Sequence, residues 1–202
     1  RFTPSQPIED PSDLFFHGKG NHRFFRKQYG RHEILIYTDG ACPGNGTQNA
    51  RGGCDFILKP KDPSGGCFRL ESVGPNKVPG PKTSNHAELR AIYGALCFRE
   101  WHGESWESVV IATDSGYAVD GITNYMDGWV KGCWLTSKGK PVLNHDLWEA
   151  ILSRLRYLHA RGIKVSFWHI PREWNEEADA AARLGAQEGL PNGFVHIRGI
   201  LC

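Results

Sequence analysis

The stretch EILIYTDGACPGNG, residues 33 to 46, sets an apolar run against a single carboxylate and then a glycine-rich turn. Ile34, Leu35, Ile36 and Tyr37 follow one another without a polar break, which is the pattern of a buried strand. Asp39 ends that strand, and Gly40, Gly44 and Gly46 loosen the backbone at once. Asp-Gly is a common exit from a strand, so an ordinary turn explains these residues taken alone.

Working outward, GGCDFILK (52–59) and CFRLESV (67–73) read as two further strands separated by the turn-rich PKDPSGG. Three strands with short connections predict an antiparallel meander. After the proline-rich VGPNKVPGPKTSN, a helix is expected from about His86 to Trp101. Its Ala87, Ala91, Ala95 and Phe98 share a face, with Leu89, Ile92 and Leu96 beside them. SVVIAT (108–113) is a fourth strand, ending at Asp114, and a helical region of mixed character covers 115–131. HDLWEAILSRLRYLHARG spaces Leu147, Ile151, Leu155 and Leu158 for a helix that stops near Gly162. KVSFWHI (164–170) is the fifth strand, and WNEEADAAARLGAQEG the last helix, closed by Gly189. The order β-β-β-α-β-α-α-β-α predicts an α/β fold: a five-stranded mixed sheet with helices on both faces.

A chain of 202 residues fits one domain with an added arm. Residues 1–32 are expected to form an irregular N-terminal extension, 33–190 the main domain and 191–202 a tail. No apolar run reaches the roughly 20 residues that cross a bilayer, and no signal-peptide pattern opens the chain, so an intracellular, membrane-free protein is expected. Six cysteines without a C-x-x-C pair argue for free thiols over a zinc site. The net charge is only +2, and positive charge gathers in HGKGNHRFFRKQYGRH, residues 17–32, with five Lys or Arg, three His and no acid. That run suits either a solvated arm or a nucleic-acid contact, its aromatics stacking on bases or packing on the domain.

Four carboxylates stand out by position. Asp39 and Asp114 end two strands, Glu88 lies early in the first long helix, and Asp179 lies in the first half of the last helix. Neighbouring strand ends are about 4.8 Å apart, so adjacency of strands one and four would bring Asp39 and Asp114 to one sheet edge. Clustered carboxylates repel one another, and hard divalent cations relieve that repulsion. Singly, each has a simpler role: a turn residue at 39, a helix-dipole partner at 88, a cap at 114 and a surface acid at 179.

The segments YTDGACPGNG, TSNHAELRAIYGAL, ATDSGYAVDGITNYMDGWVKGCWLTSKGKPVLNHDLW and NEEADAAARLGA together resemble the type 1 ribonuclease H family. They occur in that family's order and cover roughly residues 33 to 187. The resemblance implies a ribonuclease H-like fold, cleavage of the RNA strand of RNA–DNA hybrids, and two Mg²⁺ ions that Mn²⁺ can replace. It implies Asp39, Glu88, Asp114 and Asp179 as catalytic, metal-binding acids. It also implies Asn45 as a contact to RNA 2′-hydroxyls, Ser84 and Asn85 in the hybrid's minor groove, and Thr83 and Asn144 in a DNA-phosphate pocket. Tyr117, Tyr125 and Trp129 would line the DNA channel, although core packing explains them as well. Lys131, Lys138 and Lys140 resemble a thinned version of the family's basic protrusion, so a weak, salt-sensitive grip is expected.

The chain departs from the family at HIPREWNEEAD, where a PGHxG loop and its histidine are usual. His169 sits on the preceding strand and is given no such role; Glu173 or Arg172 are the candidate substitutes. Retained but slower cleavage by a monomer is expected. Three rivals remain. Proofreading-type exonucleases carry Asp-x-Glu on their first strand, whereas here Ala41 stands two places after Asp39. A hybrid-binding module that no longer cuts is favoured by the altered loop and opposed by the intact acids. The third is the ribonuclease H portion of a reverse-transcriptase-type polyprotein.

Overall fold

The computed structural model describes residues 1–17, 24–28, 31–61, 66–104 and 106–199, with the side chains of 17–31 outside that description. The basic stretch read at 17–32 therefore lies almost wholly outside the described side chains. Among the described residues seven strands form one sheet: β1 (Phe16–His17), β2 (Phe24–Gln28), β3 (Arg31–Ala41), β4 (Gly53–Ile57), β5 (Phe68–Arg69), β6 (Ser108–Thr113) and β7 (Lys164–His169). Strand β3 is the axis. Its second half pairs antiparallel with β4, and β5 follows beyond. Its other edge pairs in parallel with β6, which in turn pairs in parallel with β7. The expected five-stranded mixed sheet is thus β5-β4-β3-β6-β7. The N-terminal residues, read as irregular, add β2, which pairs antiparallel with the first half of β3, and β1, which pairs antiparallel with β2.

Helix α1 (Ser84–Phe98) and helix α4 (His145–His159) cover one face, where Ile34, Ile36, Phe56, Leu89, Ile92, Trp148 and Ile151 form the main core. Helix α5 (Glu176–Gly185) covers the other, together with Phe15 of the N-terminal segment, Leu35, Tyr37 and Trp168. Phe2 stacks on Trp168 with ring centres 5.0 Å apart, and its backbone N–H donates to the Phe167 carbonyl at 2.8 Å. Between β6 and α4 the chain forms α2 (Gly116–Asp120), a π-turn (Gly121–Tyr125) and α3 (Met126–Lys131). Gly121 permits this path, since a Cβ there would overlap the Trp148 ring. Among the described residues no helix is long and apolar enough to cross a membrane.

Elements differ from the sequence reading mainly at their ends. The strand expected over 67–73 is regular only at Phe68–Arg69, because Glu71 turns away to meet Arg90. Helix α1 stops at Phe98, three residues early, where Arg99 becomes extended and the buried Trp101 indole donates to the Leu96 carbonyl.

Arg90 ties three segments together. Its Nε and Nη2 donate to the two Glu71 carboxylate oxygens at 2.9 and 2.6 Å, and Nη2 donates also to the Val195 carbonyl at 2.7 Å. Phe68 and Phe194 lie against the guanidinium at 4.6 and 4.5 Å. Both charged side chains are 1 % exposed. Removing one member strands the other charge inside the protein, at a typical cost of about 3–5 kcal/mol. Arg90→Ala is therefore expected to lower the urea-unfolding free energy by about 3–5 kcal/mol, whereas Arg156→Ala, on the outer part of α4, leaves it nearly unchanged.

Candidate active site

Parallel pairing of β3 with β6 sets Asp39 and Asp114 side by side at one end of the sheet. Helix α1 brings Glu88 to them through a close backbone contact. A Cβ on Gly40 would overlap the main chain of Ala87 and Glu88, so only glycine allows the helix to sit this near. Thr83 starts that helix, its hydroxyl accepting from the His86 N–H at 3.2 Å. The result is one carboxylate oxygen from each of Asp39, Glu88 and Asp114, all within 4.8 Å of one another.

The electrostatics follow from this crowding. Burial first, then the neighbouring Asp114 and Asp179 charges, pushes Asp39 up to about 7. Glu88 is pushed well above the usual carboxylate range, by burial and then by Asp39. Its Oε2 is buried and has no hydrogen-bond partner among the described residues. An orphaned carboxylate oxygen beside two more acids, with an oxygen-only donor set, fits a hard divalent cation.

Asp179 lines the same cleft, of about 250 Å³, but lies outside the group of three. Its carboxylate accepts from Arg183 Nε at 2.6 Å and from Arg172 at 3.0 Å. These contacts, Arg183 above all, hold it below the usual carboxylate range. Arg172 comes from the short 3₁₀ turn (Arg172–Trp174) in the HIPREWNEEAD segment, where the sequence departs from the family's usual PGHxG loop.

Two buried residues of this region have no counterpart in the sequence reading. Asn175 precedes α5, where an Asn reads as a helix cap, yet its side chain makes no capping bond. Its amide donates instead to Asp114 Oδ1 at 2.8 Å and to the Thr38 carbonyl at 3.1 Å. Asp55 faces Asp39 across the β3–β4 ladder, and burial pushes it up to about 7. Its odd place in GGCDFIL was the available signal. The cap expected at Asp114 is made by Ser115, whose hydroxyl accepts from the Ala118 N–H at 3.3 Å.

The remaining candidates spread outward from the acids. Ser84 lines the cleft, and Asn85 is exposed on the first turn of α1. Asn45 is exposed on the glycine turn, its N–H donating to the Cys42 carbonyl at 2.9 Å. Asn144, left-handed at φ 58°, has its Oδ1 3.1 Å from His86 Nδ1 and donates to the Tyr117 hydroxyl at 3.0 Å. Tyr125 is exposed and stacks on Trp129 at 5.8 Å, while Trp129 packs on Trp148 at 5.4 Å, at the margin of the core. Lys131, Lys138 and Lys140 are exposed. His169 Nε2 lies 3.2 Å from the Asp114 carbonyl oxygen, not among the carboxylates.

A family model described as RNase H matches residues 31–187. The chain belongs to the ribonuclease H family. Ribonuclease H from Treponema pallidum is 38% identical over 170 residues, which cover 76% of this chain and 93% of that protein. Mouse ribonuclease H1 is 35% identical over 160 residues, covering 77% of this chain. The chain spans about half the length of the mammalian relatives it matches, 50% for the mouse protein. Among solved structures, the foamy viral protease-reverse transcriptase in complex with dsDNA superposes with a TM-score of 0.55 at 22% identity, over 75% of this chain and 92% of that one. LC9-RNase H1, described as a type 1 RNase H with the type 2 active-site motif, gives 0.54 at 22% identity over 79% of this chain and 74% of that one. These two likenesses speak for the ribonuclease H fold alone.

The carboxylate cluster has a measurable cost. A group whose pKa is raised on folding holds its proton better when folded, so its ionisation destabilises the folded state. In EDTA, stability is expected to fall as pH rises from about 4 to about 7, the span over which Asp39 is raised. Asp39→Asn should flatten that slope in thermal melts, and millimolar Mn²⁺ should restore stability at pH 7 to the native chain but not to the variant.

Proposed function

We propose that this chain is a metal-dependent endonuclease that cleaves the RNA strand of RNA–DNA hybrids, with residues 33–190 as its catalytic unit. The observation that carries this reading is the meeting of three carboxylate oxygens within 4.8 Å of one another. Membership in the ribonuclease H family supplies the substrate class.

Asp39, Glu88 and Asp114 are the residues that would hold the cations, with Asp179 on the opposite wall of the cleft. Two bound Mg²⁺ or Mn²⁺ ions would supply Lewis acidity at both the attacking and the departing oxygen of a phosphodiester. The chain's own part is preorganisation. Asn175 fixes the Asp114 carboxylate so that its other oxygen keeps one direction. Gly44 and Gly46, both at positive φ, shape the turn that presents Asn45 toward the 2′-hydroxyl of a ribonucleotide. Ser84 and Asn85 stand beside the acids for the minor groove. Thr83 and Asn144 would receive a DNA phosphate. Tyr117, Tyr125 and Trp129 offer ring surface to the DNA strand, and the three lysines add phosphate contacts that salt weakens. Arg172 and Arg183 hold Asp179 until cations compete for it, which favours slower turnover than an unengaged acid would give. The active unit is a monomer in this reading.

The test is cleavage of matched RNA–DNA, RNA–RNA and DNA–DNA duplexes with Mg²⁺, with Mn²⁺ and with EDTA. Only the RNA of the hybrid should be cut, only with metal. Asp114→Asn should lose about 10²–10³-fold in rate, the worth of several kcal/mol of lost charge stabilisation. Hybrid cleavage no faster than in Asp114→Asn would overturn the proposal.

A further inference from the structure

A second concavity, of about 460 Å³, opens between the N-terminal segment and the start of α5, within the usual range of ligand sites. Phe15, Tyr37 and Ile57 form an apolar floor, each less than one-tenth exposed, and Trp174 closes one side. Among the described residues the rim is acidic: Asp10, Glu173, Glu176 and Glu177 stand against one cation, Lys61. Glu177 also accepts the Lys61 backbone N–H at 2.7 Å, which fixes that side of the opening. The field of the rim reaches the floor. After burial, the charges of Asp10 and Glu177 are what push the Tyr37 phenol above its ordinary range.

We propose that this cavity docks a basic peptide segment of a partner protein, with an apolar side chain on the Phe15–Tyr37–Ile57 floor and Lys or Arg groups against the rim. Charge complementarity selects that occupant. Four carboxylates around the mouth repel nucleic-acid phosphates and acidic peptides, and attract cations. An apolar floor rewards a buried aromatic or aliphatic anchor. This cavity and the cleft of Asp39, Glu88 and Asp114 share a wall. Trp174 and Asn175 line the cavity, and the Asn175 amide reaches Asp114, so an occupant lies directly behind a residue that orients the acid site.

The full chain, without nucleic acid or metal, is titrated with the blocked tripeptide Arg-Phe-Arg by calorimetry and by amide chemical-shift mapping. Controls are Glu-Phe-Glu, which reverses the charge, and Arg-Ser-Arg, which removes the anchor. Arg-Phe-Arg is expected to bind about tenfold or more tighter than either, with shifts centred on Phe15, Tyr37, Ile57 and Trp174. Glu173→Lys combined with Glu176→Lys should weaken it by about tenfold or more. Ile57→Phe, which fills the floor and leaves every charge in place, should weaken it also. The proposal is overturned by equal binding of Glu-Phe-Glu, by shifts confined to the Asp39 cleft, or by no binding at millimolar peptide. Because this titration contains no hybrid, its failure is separate from any failure of the cleavage assay.

Discussion

Three carboxylates held within a few ångströms of one another oppose folding, and most of the architecture near them serves to overcome that opposition. Asp39 is buried, Glu88 has an oxygen with no partner among the described residues, and Asp114 brings a carboxylate oxygen within 4.8 Å of both. A chain folding by local preference alone would turn such groups to water. Here the parallel β3–β6 pairing and the contact between Gly40 and α1 leave them no such freedom. The core on the α1 side is continuous from Ile34 through Trp148, and its burial supplies the free energy that keeps the acids together.

The same constraint explains why glycine recurs beside the site. Gly40 admits α1, and Gly53 on the neighbouring strand admits α5, where a Cβ would overlap Ala182 and Ala186. Two helices therefore press on opposite faces of one strand pair near the acids. Their closeness positions Glu88 from one side and Asp179 from the other.

The strands and long helices were legible because their apolar spacing is strong: β3, β6 and α4 appear where Ile34–Tyr37, Val109–Ala112 and Leu147–Leu158 place them. The three acids of the cluster were legible through their local motifs. What sequence could not express was partnership. Asn175 looks like a cap and instead holds Asp114, its amide donating to that carboxylate and to the Thr38 carbonyl at the sheet end. Asp179 looks like the equal of the other acids, yet Arg183 one turn on and Arg172 from the preceding turn engage it first. Strand β2 was missed because its aromatics and cations, FFRKQ, alternate too poorly to mark a buried face. Short-range pattern announces elements; the identity of a hydrogen-bond partner belongs to the assembled fold.

The family match ends at residue 187, but the network around Arg90 does not. Val195 gives that guanidinium a carbonyl, its own N–H donates to Glu71 at 3.1 Å, and Phe194 shields the charge from solvent. A piece trimmed to the homologous region would keep every acid of the cleft and uncover a buried ion pair only two residues along α1 from Glu88. For this molecule, the border drawn by kinship cuts through a network of buried contacts.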